Sequence, residues 1–307
     1  MNNKLFLDEE YVFGPSKTRH KYVYLTNQGI VVKRTLKGAI IASKILISNK
    51  GIRKYIKCVF LWISIYLFPI NKFSQFIYLN NSNIYVAFFG RSKRVKIFKE
   101  NLIINKVNED FFSRTDYYMR KKINKINITP NVFVFGKSFF SEEKIENYTY
   151  ADDINIVKDR LGSFKNCFKT IFLDKNYYIK KLLHKIERFN PKIHENINSL
   201  VCSEKDKLII RMSHGDLVKR NILVKKNMES LLIDFEFSAY RSDFYDELFE
   251  SYYENRIVFL KQKPNFKICV FLLERICLML KLELELKISY TNEIDIACDY
   301  LKKHYSK

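Results

Sequence analysis

The chain has 307 residues, 47% of them apolar, which is enough for a hydrophobic core and sets it apart from disordered sequences. With 8 glycines, and neither a G-x-x-x-x-G-K-[ST] nor a G-x-G-x-x-G run, it excludes the Walker and dinucleotide-binding loops. Lys and Arg number 54 against 33 Asp and Glu, a net charge of +21 that suits anionic partners: phosphorylated metabolites, nucleic acid or an acidic membrane surface. The six cysteines (Cys58, Cys167, Cys202, Cys269, Cys277 and Cys298) form no C-x-x-C pair and have no histidine at zinc spacing, which points to buried thiols in a reducing compartment. The opening MNNKLFLDEEY has acids where a secretory leader needs a basic flank and an apolar run, so a cytoplasmic location is expected.

In chain order, residues 11–36 read as extended, around a turn at Asn27-Gln28-Gly29. Residues 38–70 read as a basic helical hairpin. Its first helix runs through Ala39–Ile47 and ends near Gly51; its second carries the apolar stretch Cys58–Phe68 and stops at Pro69. That stretch has 11 residues, and a membrane span needs about 20. The hairpin suits a buried pair, the favoured reading, or an anchor lying on a membrane surface. Residues 1–75 as a whole hold 13 Lys/Arg against 3 Asp/Glu, a net +10.

Residues 76–107 read as a β-meander, FIYLN, NIYVAFFG, RVKIFK and LIINKV, separated by turn-like NNS, GRSK and KEN. A helix follows over about 108–127, ended by Pro130; then come two strands and a connection through VFVFG and SFFSEEKIENY. From about Asp152 the pattern is helical, clearest in LLHKIERF and in the long run broken by Pro264. One β-rich island, 208–237, interrupts it. The domain boundaries implied are a 1–75 extension, a β-rich 76–148 and a helical 149–307.

The island holds the chemistry. It reads RMSHGDLVKRNILVKKNMESLLIDFEFS, two short apolar strands around a turn with polar residues at the open end. Phosphoryl transfer needs one carboxylate to orient a hydroxyl and take its proton, and hard oxygen ligands for Mg²⁺ on the nucleotide phosphates. Asp216 suits the first role, Asn221 and Asp234 the second. His214 suits packing beneath the loop more than proton transfer, and Lys219 and Arg220 suit phosphate contact as well as simple solvation.

His214-Gly215-Asp216 with Asn221 five residues after Asp216, followed by Ile233-Asp234-Phe235-Glu236, resembles the aminoglycoside phosphotransferase and choline kinase-like families. The resemblance implies an α+β, two-lobed protein-kinase-like fold with a β-rich N-lobe, a mainly helical C-lobe and an N-terminal extension. It implies ATP and Mg²⁺ as cofactors, Asp216 as catalytic base, and Asn221 and Asp234 as metal ligands. Asp243 and Asp246 would fix the catalytic loop. For the nucleotide, Lys96 is the choice for the phosphate lysine, with Lys106 as the alternative. Asp116 lies where the family's helix acid would be, with Glu109 as the fallback. Glu143, Lys144 and Ile145 fall where backbone groups meet adenine.

The expected activity is phosphorylation of an alcohol on a small molecule, a sugar or an envelope glycan. The basic charge argues for an anionic or membrane-held acceptor and for peripheral attachment at the inner face of an anionic membrane. Envelope-polysaccharide biosynthesis follows by analogy. Two readings stay open: a pseudokinase that binds nucleotide without turnover, and a basic nucleic-acid-binding protein. The latter lacks a helix-turn-helix, zinc or RNA-recognition signature.

Overall fold

The computed structural model describes residues 7–8, 11–14, 22–25, 30–33, 35–46, 56, 59–60, 62–63, 74–79, 86–89, 95–98, 102–106, 111–136, 139–145, 148–200, 206–227, 229–287 and 289–305. The chain divides into two compact units, Met1–Glu109 with Asn131–Lys144, and Asp110–Pro130 with Ile145–Lys307.

The strands described in the first unit form one antiparallel sheet. Its strands are β1 (Leu7–Asp8), β2 (Tyr11–Gly14), β3 (Tyr22–Leu25), β4 (Ile30–Lys33), β5 (Ser74–Leu79), β6 (Val86–Phe89), β7 (Val95–Phe98), β8 (Leu102–Lys106), β9 (Val132–Phe135) and β10 (Phe139–Glu143). They lie in the order β1-β2-β5-β3-β4-β6-β7-β8-β10-β9. Helix α1 (Leu36–Leu46) follows β4 and buries Ala39, Ile41 and Ala42.

The meander expected over 76–107 is present as β5 to β8. The boundary expected at residue 75 is not a break in the sheet: β3 pairs with β5 and β4 with β6, so strands from 22–33 are interior members of it. A strand's free N–H and C=O groups seek the nearest complementary edge, and composition does not reveal which edge that is. The second helix of the expected hairpin falls mostly outside the described residues. Of those described there, Ile56, Val59 and Phe60 are 50%, 53% and 66% exposed, while Trp62 and Ile63 are half-buried.

The second unit begins with helix α2 (Phe111–Ile123) and resumes at β11 (Tyr148–Tyr150). It continues through α3 (Lys158–Asn166), β12 (Ile171–Asp174), α4 (Lys175–Phe189), α5 (Pro191–Ile197), β13 (Lys207–Ser213), β14 (Ile222–Lys225), β15 (Ser230–Leu232) and β16 (Ala239–Ser242). It ends with α6 (Tyr245–Glu254), α7 (Arg256–Phe259), α8 (Phe266–Leu286) and α9 (Thr291–Tyr305). Local chemistry sets several ends. Asp174, Asn190 and Asn265 cap α4, α5 and α8 by accepting the N–H groups of Tyr177, Ile193 and Ile268. Pro191 at the first turn of α5 spares a donor with no partner.

Helix α8 is apolar nearly all round and is accordingly the centre of the core, with Val270, Phe271, Leu272, Leu273, Ile276 and Met279 inaccessible to solvent. Two small sheets, β11-β14-β15 and β12-β13-β16, frame the expected island. Strands β12 and β16 lie in stretches that read as helical or irregular. Each has four residues, too short to display a period, and they form by pairing on either side of β13.

Candidate active site

The loop between β13 and β14 carries Asp216, and the turn after β15 carries Asp234. Pairing of β14 with β15 brings the two together: Ile222 stands opposite Leu232, so Asn221 and Ile233 are at the same end, and the Ile233 N–H donates to the Asn221 carbonyl at 3.0 Å. The Asn221 amide donates to Asp216 twice, to its carbonyl at 2.8 Å and to its Oδ2 at 3.0 Å. These two bonds use neither the Asn221 side-chain oxygen nor Oδ1 of Asp216. Burial pushes the Asp216 carboxyl above its ordinary range. His214 and Arg220 pull it down, and the Asp234 carboxylate adds to the rise. A carboxylate so held accepts a proton more readily than one in water.

Asp234 has φ +65°, in the left-handed region that few residues other than glycine enter. Asp is among the side chains that tolerate it, and strain of this kind is concentrated at functional sites. Asp216, Asn221 and Asp234 are thus brought together by the hairpin. Among the described residues no group of three or more His, Cys, Asp or Glu is placed to hold a metal. The donor set here is one carboxylate with a carboxamide oxygen beside a second carboxylate. It fits Mg²⁺, which takes a few protein oxygens and completes its shell with phosphate and water.

The loop is held from below. Gly215 has φ +86°, and a Cβ there would lie 2.2 Å from the Phe237 carbonyl oxygen, so the position requires glycine. The buried Asp246 carboxylate accepts from Ser213 Oγ (2.8 Å), the His214 N–H (3.0 Å) and the Gly215 N–H (2.9 Å). Asp243 is used otherwise, taking Lys165 Nζ at 2.9 Å. His214 is fully buried; its Nε2 meets the Ile233 carbonyl at 2.9 Å and its ring packs 4.9 Å from that of Phe235, so it acts as a packed brace for the loop.

Sequence reasoning missed the layer beneath. Glu274, on α8, is buried and accepts from the Ser242 N–H (2.6 Å), Ser242 Oγ (2.7 Å) and Tyr178 Oη (2.7 Å). Arg241 donates to the Phe237 carbonyl at 2.9 Å and to Ser213 Oγ at 3.4 Å, lying over the Tyr245 ring. The signal was available: Glu274 and Arg275 are the charges inside an otherwise apolar FLLERICLML.

Asp116 sits in α2, in the same unit as the loop. It is buried, pairs with Arg120 at 3.7 Å, and accepts the Phe235 N–H at 3.1 Å, directly after Asp234. Lys96 and Lys106 belong to the other unit. In register Lys96 stands opposite Asn105, and Lys106, the next residue of β8, opposite Phe139. Glu143 ends β10; its N–H already donates to the Asn131 carbonyl at 2.8 Å and its Oε2 accepts from the Asn131 amide. The boundary between units falls just after it, between Lys144 and Ile145.

Residues 125–253, from the end of α2 to α6, match the ecdysteroid kinase-like family. That match makes the segment kinase-like. The matched segment contains Asp216, Asn221 and Asp234, so the resemblance read from those residues holds. No curated protein matches the chain. Among solved structures, it is similar to the choline kinase LicA from Streptococcus pneumoniae, with 15% identity over 69% of this chain and 90% of that one (TM-score 0.47). It is also similar to a Plasmodium vivax ethanolamine kinase, with 14% identity over 87% and 93% (TM-score 0.40). The macrolide 2'-phosphotransferase MphH from Brachybacterium faecium shows 9% identity over 70% and 89% (TM-score 0.38).

Proposed function

We propose that the protein is an ATP- and Mg²⁺-dependent phosphotransferase acting on a hydroxyl of a small molecule, a sugar or an envelope glycan. The observation that carries this reading is the Asp216–Asn221 hydrogen bond beside Asp234, inside the kinase-like segment. Asp216 Oδ1 takes the proton of the acceptor hydroxyl. The acceptor oxygen then bonds to the γ-phosphorus, and the bond from that phosphorus to the β–γ bridging oxygen breaks, releasing ADP. Mg²⁺ held by Asn221 and Asp234 would neutralise charge on the phosphates. The intact set of Asp216, Asn221 and Asp234 argues against a pseudokinase.

For the nucleotide, the order of elements favours Lys106 over Lys96. Kinases carry the phosphate lysine on the strand that precedes their acidic helix in sequence, and here β8, with Lys106, precedes α2. The connector at Glu143–Ile145 supplies backbone groups for adenine, through carbonyls and the Ile145 N–H, since the Glu143 N–H is taken. The basic stretch around Lys50–Lys57 and the exposed Ile56, Val59 and Phe60 support peripheral attachment to an anionic membrane.

The test is Mg²⁺-dependent ATP turnover by the parent and by Asp216→Asn. The carboxamide keeps the shape and cannot take the proton, so a loss of about 10²–10⁴-fold is expected. Activity within threefold of the parent would remove Asp216 from this role.

A further inference from the structure

We propose that Arg220 reads an anionic group, phosphate or carboxylate, on the acceptor. This rests on the phosphotransferase reading and names the acceptor class for the same site. Arg220 lies between Asp216 and Asn221 in sequence, and its guanidinium is 3.8 Å from Asp216 Oδ2, the oxygen that Asn221 also engages. At that distance it is an ion pair without a hydrogen bond, so its N–H donors are not spent on the base. The side chain is 61% exposed while that of Asp216 is 14% exposed, so the guanidinium stands at the open side of the buried carboxylate. The Tyr253 ring holds it from beneath at 5.4 Å.

The neighbouring cation is used differently. Lys219 is paired with Glu254 at 2.6 Å, with Glu250 near both. Of the two adjacent basic residues, Arg220 therefore keeps the hydrogen-bonding fork for an incoming group, and that fork matches phosphate or carboxylate with two parallel hydrogen bonds. With its guanidinium 3.8 Å from Asp216 Oδ2, Arg220 is within reach of an anionic group on an acceptor whose hydroxyl meets Asp216. A cationic acceptor would meet like charge there, and the net +21 of the chain disfavours it further at long range.

Glycerol 3-phosphate, a small probe with both a hydroxyl and a phosphate, tests this by calorimetry on the full chain. Glycerol and choline are the neutral and cationic controls, and each titration is run with and without Mg²⁺ and a non-hydrolysable ATP analogue. Glycerol 3-phosphate should bind better than either control. Its affinity should fall about tenfold or more in Arg220→Gln, recover in part in Arg220→Lys, and weaken with salt, while the melting temperature of each variant stays at that of the parent. Binding of glycerol 3-phosphate no tighter than glycerol, unchanged binding in Arg220→Gln, or preference for choline overturns the inference. The nucleotide arm separates the two claims. If the analogue binds and glycerol 3-phosphate does not, the phosphotransferase reading stands and the anion site falls. If glycerol 3-phosphate behaves as expected and the analogue does not bind, the reverse holds.

Discussion

Asp246 grips Gly215 from a different element: its Oδ1, at the first turn of α6, accepts the Gly215 N–H at 2.9 Å, thirty-one residues away in sequence. The same carboxylate takes the His214 N–H and Ser213 Oγ, so one buried side chain fixes the residues that lead into Asp216. Asp246→Asn puts an amide N–H against at least one of these donors. A buried donor left without an acceptor costs about 1–3 kcal/mol, and each kcal/mol lowers the melting temperature by roughly 2–4 °C in a unit of this size. Asp246→Asn should therefore melt several degrees lower and lose more than tenfold in kcat, because Asp216 is no longer held. Differential scanning calorimetry together with turnover measures both, and an unchanged melting temperature would contradict the arrangement.

Glu274 gives the fold a pH signature. Burial pushes its carboxyl up from 4.5 to about 7, against the hydrogen bonds from Tyr178 and Ser242 and the nearby charge of Arg241. The folded chain thus holds this proton more tightly than the unfolded chain does. The stability it adds is fully present below about pH 4.5 and is lost as pH rises toward 7, a change on the order of 3 kcal/mol. Glu274→Gln preserves the shape and lets its amide donate to Ser242 Oγ. Subtracting its stability–pH profile from that of the parent should leave a downward slope between those pH values. Parallel profiles would show that Glu274 does not titrate there.

The position of the phosphate lysine is open to a direct ranking. Lys106→Ala should impair turnover far more than Lys96→Ala, chiefly through weaker use of ATP, because β8 is the strand that precedes α2 in sequence. The opposite ranking in a steady-state comparison would move the lysine to β7, where Lys96 stands opposite Asn105.

Membrane attachment can be read from sedimentation with vesicles. Lys50, Arg53, Lys54 and Lys57 lie before and within the stretch where Ile56, Val59 and Phe60 are exposed. Each such cation contributes about 1 kcal/mol at an anionic surface, falling with salt. Binding to anionic but not neutral vesicles is expected, lost at high salt and on changing the four basic residues to Gln. Equal recovery with both vesicle types, or none with either, sinks this idea.

What the sequence alone determined was local. Asp216, Asn221 and Asp234 are legible because a five-residue and a thirteen-residue spacing across one hairpin fix their mutual placement before any distant contact forms. Helix α8 is legible because it is apolar nearly all round over 21 residues, and the helix starts because Asp174, Asn190 and Asn265 act within one turn of themselves. Tertiary structure decided what depends on pairing between remote segments. It set the insertion of β3 between β5 and β4, the recruitment of β12 and β16 to β13, and the burial of Glu274 under Ser242. It also chose Asp246 rather than Asp243 as the support of the loop, although both follow the same motif within four residues of each other. A carboxylate's role is set by which donors reach it, and for these two the donors come from β13 and its loop or from α3, segments that no local spacing relates to them.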